Sequence, residues 1–225
     1  MEIHQGGILK STKDRLSSAL HRAYSELMGF ARNPPTALRD RSVMFIDGEN
    51  ILLRYEAMVA AGRRSSGIIK HSVGRYVWDE EIFSSPRECP YRICYYTAAA
   101  GDDDALETLR SEIAKLHFGG RSGTERFSEG TLTPFVFKKE VRRTKTKSVD
   151  INLTTDLLRT AYSGAVEHVI VLSGDGDYLP VYEEVMRRGV RVTVGAFSSG
   201  LNPLIPPRVD LFWDLDLEFF ARLPT

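Results

Sequence analysis

Two segments of the sequence place aspartates directly behind apolar runs. The run "VMFI" ends in Asp47, and the run "VIVLSG" leads to Asp175, with Asp177 two residues further on. An apolar run that ends in Asp and Gly is typical of a buried strand followed by a turn. Because Asp and Gly are also common turn formers, each segment taken alone has a purely structural interpretation.

The chemistry of these aspartates depends on whether the two strands are neighbours. Ligands of an open parallel sheet bind beyond the carboxyl ends of its strands, where adjacent strands would bring the three carboxylates together. Clustered carboxylates repel one another unless a cation joins them, and oxygen ligands favour Mg²⁺ or Mn²⁺ over zinc. Such an ion suits phosphodiester hydrolysis because it activates water and stabilises the charge that develops on the phosphate.

A fourth candidate ligand lies in "TKTKSVDINLTTDLLRTA". Asp150 falls near the start of a helix predicted over residues 148–163, where backbone N–H groups favour an anion. With the apolar residues of this helix facing the sheet, Asp150 is better placed than Asp156 to reach the strand ends, and Asp156 is held in reserve. A simple helix cap remains the alternative for Asp150 and for Asn50.

Alternating elements would position these residues. Strands are predicted at "SVMFID", "YRICYYTA", "TPFVFKKE", "HVIVLSGD" and "VRVTVGAF", and helices over 102–118, 148–163 and 178–188. This alternation predicts an α/β fold with three α/β/α layers, in which a mostly parallel sheet is covered on both faces. Residues 54–90 are predicted to form a short helix and an irregular, insertion-like connection, and residues 119–130 a long polar loop.

The ends of the chain extend beyond this alternation. An amphipathic helix predicted over 11–31 makes residues 1–41 an N-terminal helical arm, followed by a main domain over 42–216 and a helical tail over 217–225. The formal net charge is zero, which argues against a wholly basic nucleic-acid binder. The sequence has no signal-peptide pattern or long apolar stretch, so we expect a cytoplasmic location and no membrane partner.

A local basic segment, "FKKEVRRTKTK", directly precedes Asp150. Basic side chains at this position could bind the phosphates of an RNA strand, although a solvated connection is the plain alternative. Its basic residues are Lys138, Lys139, Arg142, Arg143, Lys145 and Lys147. A weaker basic stretch that could widen the same groove comprises Arg63, Arg64, Lys70, His71 and Arg75.

Four segments in this order resemble the NYN domain, a PIN-like nuclease group that includes LabA-like proteins. They are "FIDGEN", "KSVDINLTTDLL", "VIVLSGDGDYLPVYEEVMRRGVRVTVGAF" and "VDLFWDL". The resemblance implies a PIN-like α/β/α fold and, for active members, ribonuclease activity that uses clustered aspartates with Mg²⁺ or Mn²⁺. Our leading hypothesis is therefore a metal-dependent ribonuclease that cleaves endonucleolytically. The resemblance also implies that a homodimer is possible.

The same resemblance assigns roles to individual positions. Asp47 corresponds to the acidic residue after the first strand, with Asn50 beside it, and Asp150 to the aspartate of the Lys-x-Val-Asp motif. Asp175 and Asp177 correspond to the pair in Ser-Gly-Asp-x-Asp. The remaining supporting positions are Ser173 and Asp156.

Two other functions compete with the nuclease. An RNA-binding or regulatory module could retain the acidic pocket without useful catalysis. A phosphatase of the haloacid dehalogenase type also has an aspartate after its first strand, but its nucleophilic motif reads Asp-x-Asp and this chain has Glu49 at the second position.

Overall fold

The structure is a computed structural model, and it describes residues 41–66, 69–83, 90–119, 121–122, 125–126, 129–139 and 147–221. For residues 121–122, 125–126 and 147 only the backbone is described. The helix predicted over 11–31 lies outside these residues. No helix in the described part of the chain is long and apolar enough to cross a membrane.

The described strands and helices alternate through most of the domain. The strands are β1 (Ser42–Asp47), β2 (Ile69–Ser72), β3 (Tyr76–Asp79), β4 (Arg92–Ala99), β5 (His117–Phe118), β6 (Arg121–Ser122), β7 (Glu125–Arg126), β8 (Gly130–Thr131), β9 (Thr133–Lys138), β10 (His168–Leu172), β11 (Arg191–Ala196) and β12 (Leu211–Asp214). The helices are α1 (Gly48–Ala60), α2 (Asp103–Ile113), α3 (Lys147–Tyr162), α4 (Leu179–Arg187) and α5 (Asp216–Phe219), with 3₁₀ turns at Gly176–Tyr178 and Pro206–Arg208.

Six strands form one sheet in the order β12-β11-β10-β1-β4-β9, and every neighbouring pair is parallel. The chain moves outward from β1 through β4 to β9, and then returns to place β10 on the other side of β1. The sheet order therefore reverses at β1 and β10, and in parallel sheets this switch point is where ligands bind. The predicted parallel α/β sheet is confirmed.

The two faces of the sheet carry separate apolar cores. Along β1, Met44 and Ile46 pack with residues of α1 and α2 on one face, and Val43 and Phe45 pack with residues of α3 and α4 on the other. Side chains of a strand alternate between its two faces, so a continuous apolar run such as "VMFI" buries both. The result is the predicted three-layer arrangement.

Helix α3 is held against the sheet by apolar residues that recur every four positions. Val149, Leu153 and Leu157 are each 1% exposed or less, as the predicted helix period requires. This packing fixes the rotation of the helix, and Asp150 lies in its first turn. The predicted position of Asp150 at the start of a sheet-packed helix is confirmed.

The stretch over 54–90 is more regular than expected. Helix α1 begins at Gly48 and continues to Ala60, and an antiparallel hairpin of β2 and β3 follows it. Trp78 of this hairpin is 1% exposed, and its indole N–H donates to the carbonyl oxygen of His117 at 2.7 Å. The prediction of an irregular connection was wrong because the hairpin is stabilised by distant partners that the local pattern does not reveal.

The helix predicted over 102–118 ends earlier, and the loop predicted over 119–130 is partly paired. Helix α2 stops at Ile113, and Phe118 then pairs with Gly130 in the short ladder of β5 and β8. The backbones of β6 and β7 form a second short ladder within the loop. The helix ends early because residues 117–118 pair with residues 130–131 as strands and so do not continue the helix.

The C-terminal segment contributes to the core of the α1 face. Phe219 and Phe220 are buried, and their rings lie 6.2 Å and 5.3 Å from the ring of Tyr55. The Ala221 N–H donates to the carbonyl oxygen of Arg64 at 2.8 Å. Residues 219–221, which the sequence assigns to a tail, thus pack on α1 and the segment that follows it.

Two substitutions in α3 separate its packing role from its helix propensity. Leu153→Ala should reduce the free energy of unfolding by about 2–5 kcal/mol, since Leu153 is fully buried and its removal leaves a cavity. Ile151→Ala should change it by no more than about 0.5 kcal/mol, because Ile151 is 61% exposed on the same helix. Equal effects in urea denaturation would contradict the packing of this face.

Candidate active site

Asp47 lies at the switch point of the sheet, at the end of β1. Its Oδ1 accepts the Asn50 backbone N–H at 3.1 Å, so Asp47 is the N-cap of α1. Its Oδ2 accepts the hydroxyl of Ser173, just beyond β10, at 3.1 Å. The predicted turn after β1 is thus the start of a helix, and the cap is Asp47 rather than Asn50.

The glycine of "FIDGEN" is required by packing. A Cβ at Gly48 would lie 2.3 Å from Cε1 of Tyr95 and 2.8 Å from the carbonyl oxygen of Tyr96. Any larger residue would push the first turn of α1 away from β4. The close approach allows Asp47 to end the strand and cap the helix at once.

The Asp47 carboxyl is only 3% exposed, and its ionisation is unfavourable. Burial, assisted by the nearby charges of Asp150 and Glu49, raises its pKa from the ordinary 3.8 to about 7, although hydrogen bonds from Asn50 and Ser173 act in the opposite direction. Loss of hydration outweighs both hydrogen bonds. A cation bound beside Asp47 would remove this cost.

Asp150 faces the same region from α3. Its Oδ1 accepts the hydroxyl of Tyr178 at 3.1 Å. Burial raises the pKa of Tyr178, and the charges of Asp47 and Asp150 add to the rise. The phenol therefore stays protonated, and its hydrogen bond to Asp150 links the turn after β10 to α3.

Asp175 and Asp177 occupy the 3₁₀ turn after β10. The Oδ1 of Asp175 accepts the Asp177 N–H at 3.0 Å, and the Asp175 N–H donates to Oγ of Ser173 at 3.2 Å. Ser173 thus joins Asp47 and Asp175, and its supporting role in the site stays a prediction. Asp177 is exposed at the surface of the turn.

A second tyrosine lies near these carboxylates. Tyr182 is fully buried, and its hydroxyl has no hydrogen-bond partner among the residues that the structure describes. Burial raises its pKa, with further increments from the charges of Asp47 and Asp175. An unpartnered buried hydroxyl costs about 1–3 kcal/mol, so a water or ligand oxygen bound there would be stabilised.

The carboxylates are near one another without converging on one point. In the part of the chain that the structure describes, no three His, Cys, Asp or Glu side chains lie close enough to share a metal ion. Magnesium, however, is usually held by one or two protein carboxylates and keeps water and substrate phosphates in its other positions. Asp47 and Asp150, whose charges interact, could supply two oxygen ligands of this kind.

Asp156 lies apart from this group. Its Oδ2 accepts the hydroxyl of Tyr96 at 3.0 Å, and its Oδ1 lies 3.3 Å from a guanidinium nitrogen of Arg159. Through Tyr96 it links α3 to β4. Its supporting role remains a prediction.

The basic segment is only partly described. Lys139 donates to Oε1 of Glu49 at 2.9 Å, which links the end of β9 to the start of α1. Lys138 is exposed and lies 3.5 Å from an exposed carboxylate oxygen of Asp103. Arg142, Arg143 and Lys145 lie outside the described residues, as does the side chain of Lys147.

The second basic stretch pairs mainly with carboxylates of its own domain. Arg63 contacts Asp216 at 3.3 Å, Lys70 contacts Glu80 at 3.6 Å, His71 contacts Glu56 at 3.0 Å and Arg75 contacts Glu112 at 2.9 Å. These pairs connect α1, the hairpin, α2 and α5. They give no support to the expectation that this stretch widens the groove.

Beside Asp175 the structure has a cleft that sequence reasoning missed. Its volume is about 330 Å³, and it is lined by Asn50, Arg54, Gly174, Asp175, Gly176, Gly200, Leu201, Asn202 and Pro203. Arg54 is one helical turn beyond Asn50, and this spacing was an available signal. No local pattern marks Asn202, because the long chain between β11 and β12 brings it to this edge.

Comparisons with known proteins agree with this architecture. The chain resembles a crystal structure of a protein of unknown function, VPA0982 from Vibrio parahaemolyticus RIMD 2210633, with a TM-score of 0.52 and 18% sequence identity. The match covers 84% of this chain and 100% of that chain, and at this identity it shows the fold alone. A search of curated protein sequences finds no match.

The sequence itself matches a family model. The model of the NYN domain matches residues 41–206, which span β1 to β11 and include all four aspartates of the predicted site. The matched range contains three of the four segments on which the resemblance rested, and the fourth, residues 209–215, contains β12 just beyond it. The chain belongs to the NYN domain family, and through it to the PIN-like nuclease superfamily.

Proposed function

We propose that this protein is a metal-dependent ribonuclease, endonucleolytic in its cleavage, that hydrolyses RNA phosphodiester bonds at the carboxyl edge of its sheet. The observation that carries the proposal is the buried carboxyl of Asp47, held at the switch point with its pKa raised to about 7 and with Asp150 nearby. A neutral side chain here would avoid the cost of a buried charge, and carboxyl groups with strongly shifted pKa values cluster at functional sites.

In this proposal some residues of the chain hold the metal ion and others orient those ligands. Asp47 and Asp150 would hold Mg²⁺ or Mn²⁺, which supplies water activation and charge stabilisation at the phosphate. Ser173 fixes the rotamer of Asp47, and Tyr178 fixes that of Asp150, through hydrogen bonds of 3.1 Å in each case. Asp175 is tied to the same network through Ser173, and its other carboxylate oxygen would orient a reacting water or complete the ligand set.

The substrate class follows from the surroundings and the family. Lys139 and the basic segment that continues from it would contact the phosphates of an RNA strand. Asp177 is exposed in the same turn as Asp175, and its carboxylate would contribute to the site from that turn. If the RNA binds without being cleaved, the RNA-binding module becomes the better assignment.

Cleavage of labelled single-stranded and structured RNAs tests the proposal. With Mn²⁺ or Mg²⁺ the wild type should cut and with EDTA it should not. Asp175→Asn should reduce the rate by at least about 100-fold, a barrier increase of about 2.7 kcal/mol. Asn retains an acceptor oxygen for the Asp177 N–H, so folding should persist.

Glu167→Gln is the matched control, since it removes one exposed carboxylate just before β10, at the opposite edge of the sheet. It should cut at the wild-type rate. Undiminished cleavage by Asp175→Asn would show that Asp175 is not catalytic. RNA binding without turnover in either metal would contradict the assignment as a nuclease.

The raised pKa of Asp47 predicts a linkage between pH, metal and stability. Without metal, this carboxyl contributes full stability below about pH 4 and loses it as the pH rises towards about 7, because the folded state must then hold a buried charge. The loss is on the order of 4 kcal/mol. Asp47→Asn should remove this decline, and Mn²⁺ should raise the Tm of the wild type above pH 7 but not that of the variant.

Asp79→Asn is the control for this linkage. Burial raises the pKa of Asp79 to about 6, so its removal should also flatten the pH dependence of stability, while the metal effect stays. Thermal denaturation across pH, with EDTA and with Mn²⁺, measures both effects. An equal metal-induced rise in the Tm of Asp47→Asn would exclude Asp47 as a ligand.

A further inference from the structure

The cleft beside Asp175 contains an arginine, Arg54, that pairs with no carboxylate among the residues that the structure describes. Arg54 lies in the second turn of α1 and is partly buried, and its Nε has no hydrogen-bond partner in the described part of the chain. A guanidinium stays charged at any physiological pH and carries five N–H donors. Holding it against a wall without an acceptor is unfavourable unless a ligand supplies one.

Glycines shape the wall of this cleft around Arg54 and Asn202. A Cβ at Gly200 would lie 2.2 Å from the guanidinium carbon of Arg54, and one at Gly176 would lie 1.9 Å from Nδ2 of Asn202. Gly200 also has a φ of +73°, a conformation that other residues rarely adopt. The two polar side chains therefore fit closely against backbone that leaves no space for a larger residue.

The two asparagines of the cleft are oriented by their backbone partners. Oδ1 of Asn202 accepts the Leu204 N–H at 3.0 Å, and Oδ1 of Asn50 accepts the Gly174 N–H at 3.1 Å. With each amide oxygen engaged, the amide of each side chain offers its NH₂ group to the cleft. The Asn202 N–H is also bound, to the Gly174 carbonyl oxygen at 3.0 Å, which secures the loop after β11.

The cleft therefore presents one permanent positive charge and two amide donors, next to the carboxylate of Asp175. This set is suited to an anion with several acceptor oxygens, and Arg binds phosphate oxygens in pairs. The volume of about 330 Å³ lies in the range of small-ligand pockets, which is about 300–1,000 Å³. A carboxylate on the rim disfavours a free anion that does not also have a cation or a polymer to hold it there.

We propose that the cleft formed by Arg54, Asn202 and Asn50 binds a phosphate group of an RNA strand. This cleft borders Asp175 and so adjoins the aspartates proposed to cleave the scissile phosphodiester bond. The inference rests on the proposed function and deepens it, since it names the residues that hold the strand beside the reacting phosphate. Arg54 and Asn202 are positioning residues. They set where the strand lies along the edge of the sheet.

Fluorescence anisotropy with a labelled 12-nucleotide single-stranded RNA, in EDTA, tests this site apart from cleavage. Arg54→Gln should weaken binding by about tenfold, the effect of one charged hydrogen-bonded contact. The slope of log K against log salt should fall by about 0.7, the value for one phosphate contact on a single strand. Asn202→Asp keeps the acceptor for Leu204 and adds a negative charge, so it should weaken binding at least as much.

Arg187→Gln is the matched control. It removes the same charge from the far end of α4, where Arg187 is 67% exposed and pairs with Glu183 and Glu184. Its affinity and salt slope should equal those of the wild type. Thermal denaturation of all three variants checks that each is folded.

Two RNA probes distinguish the sources of the phosphate. Loss of affinity with both 5′-hydroxyl and 5′-phosphate RNA assigns the cleft to an internal phosphodiester, and loss with 5′-phosphate RNA alone assigns it to the terminal phosphate. Unchanged affinity and slope in folded Arg54→Gln and Asn202→Asp would overturn the site.

Kinetics separate this failure from that of the proposed function. If the wild type cuts RNA, Arg54→Gln should raise KM about tenfold with little change in kcat, because the contact is made equally in the ground state and the transition state. Wild-type cleavage with an unchanged KM in this variant would reject the subsite and leave the nuclease intact. A wild type that binds RNA but never cuts it would reject the nuclease, while the anisotropy series still decides the subsite.

Discussion

A buried carboxylate holds together the edge of the sheet on which the rest of the site depends. Asp47 ends the central strand, caps the helix that follows and accepts a hydroxyl from the loop after the neighbouring strand. One oxygen accepts the N–H of Asn50 in α1, and the other accepts the hydroxyl of Ser173, which is 126 residues from Asp47 in sequence. Replacing this acid by an apolar residue would leave the cap of α1 and the hydroxyl of Ser173 without their acceptor, so the geometry of the edge is coupled to a group that is costly to ionise.

The parallel topology explains why this cost falls at one place. All six strands point the same way, so their carboxyl ends and the helix N-termini gather along one edge, and the reversal of sheet order opens a crevice between β1 and β10. Helix N-termini favour negative charge, and Asp47 and Asp150 lie at the starts of α1 and α3. Two buried tyrosines stay protonated near the same carboxylates: Tyr178 donates a hydrogen bond to Asp150 without adding charge, and the hydroxyl of Tyr182 has no partner among the described residues.

Negative and positive side chains lie in separate, neighbouring regions of this edge of the sheet. The carboxylates lie at the switch point, the guanidinium of Arg54 and two amide groups lie in the adjoining cleft, and Lys139 lies at the end of β9. A polynucleotide needs both environments, because its reacting phosphate must meet a cation while its other phosphates need direct donors. The neutral net charge of the chain is thus compatible with a nucleic-acid substrate, since the local arrangement differs from the sum.

The sequence by itself determined the parallel α/β fold, the order of its main elements and the strand ends that carry Asp47 and Asp175, because those depend on local apolar periodicity. It also determined that Asp150 begins a sheet-packed helix. Tertiary structure alone decided that Asp47 is the buried acid, that Asp175 is bound into its own turn, and that Arg54 and Asn202 share a cleft. Burial and hydrogen bonding depend on contacts between segments that are far apart in the chain. A local sequence pattern does not show which of these segments will contact each other.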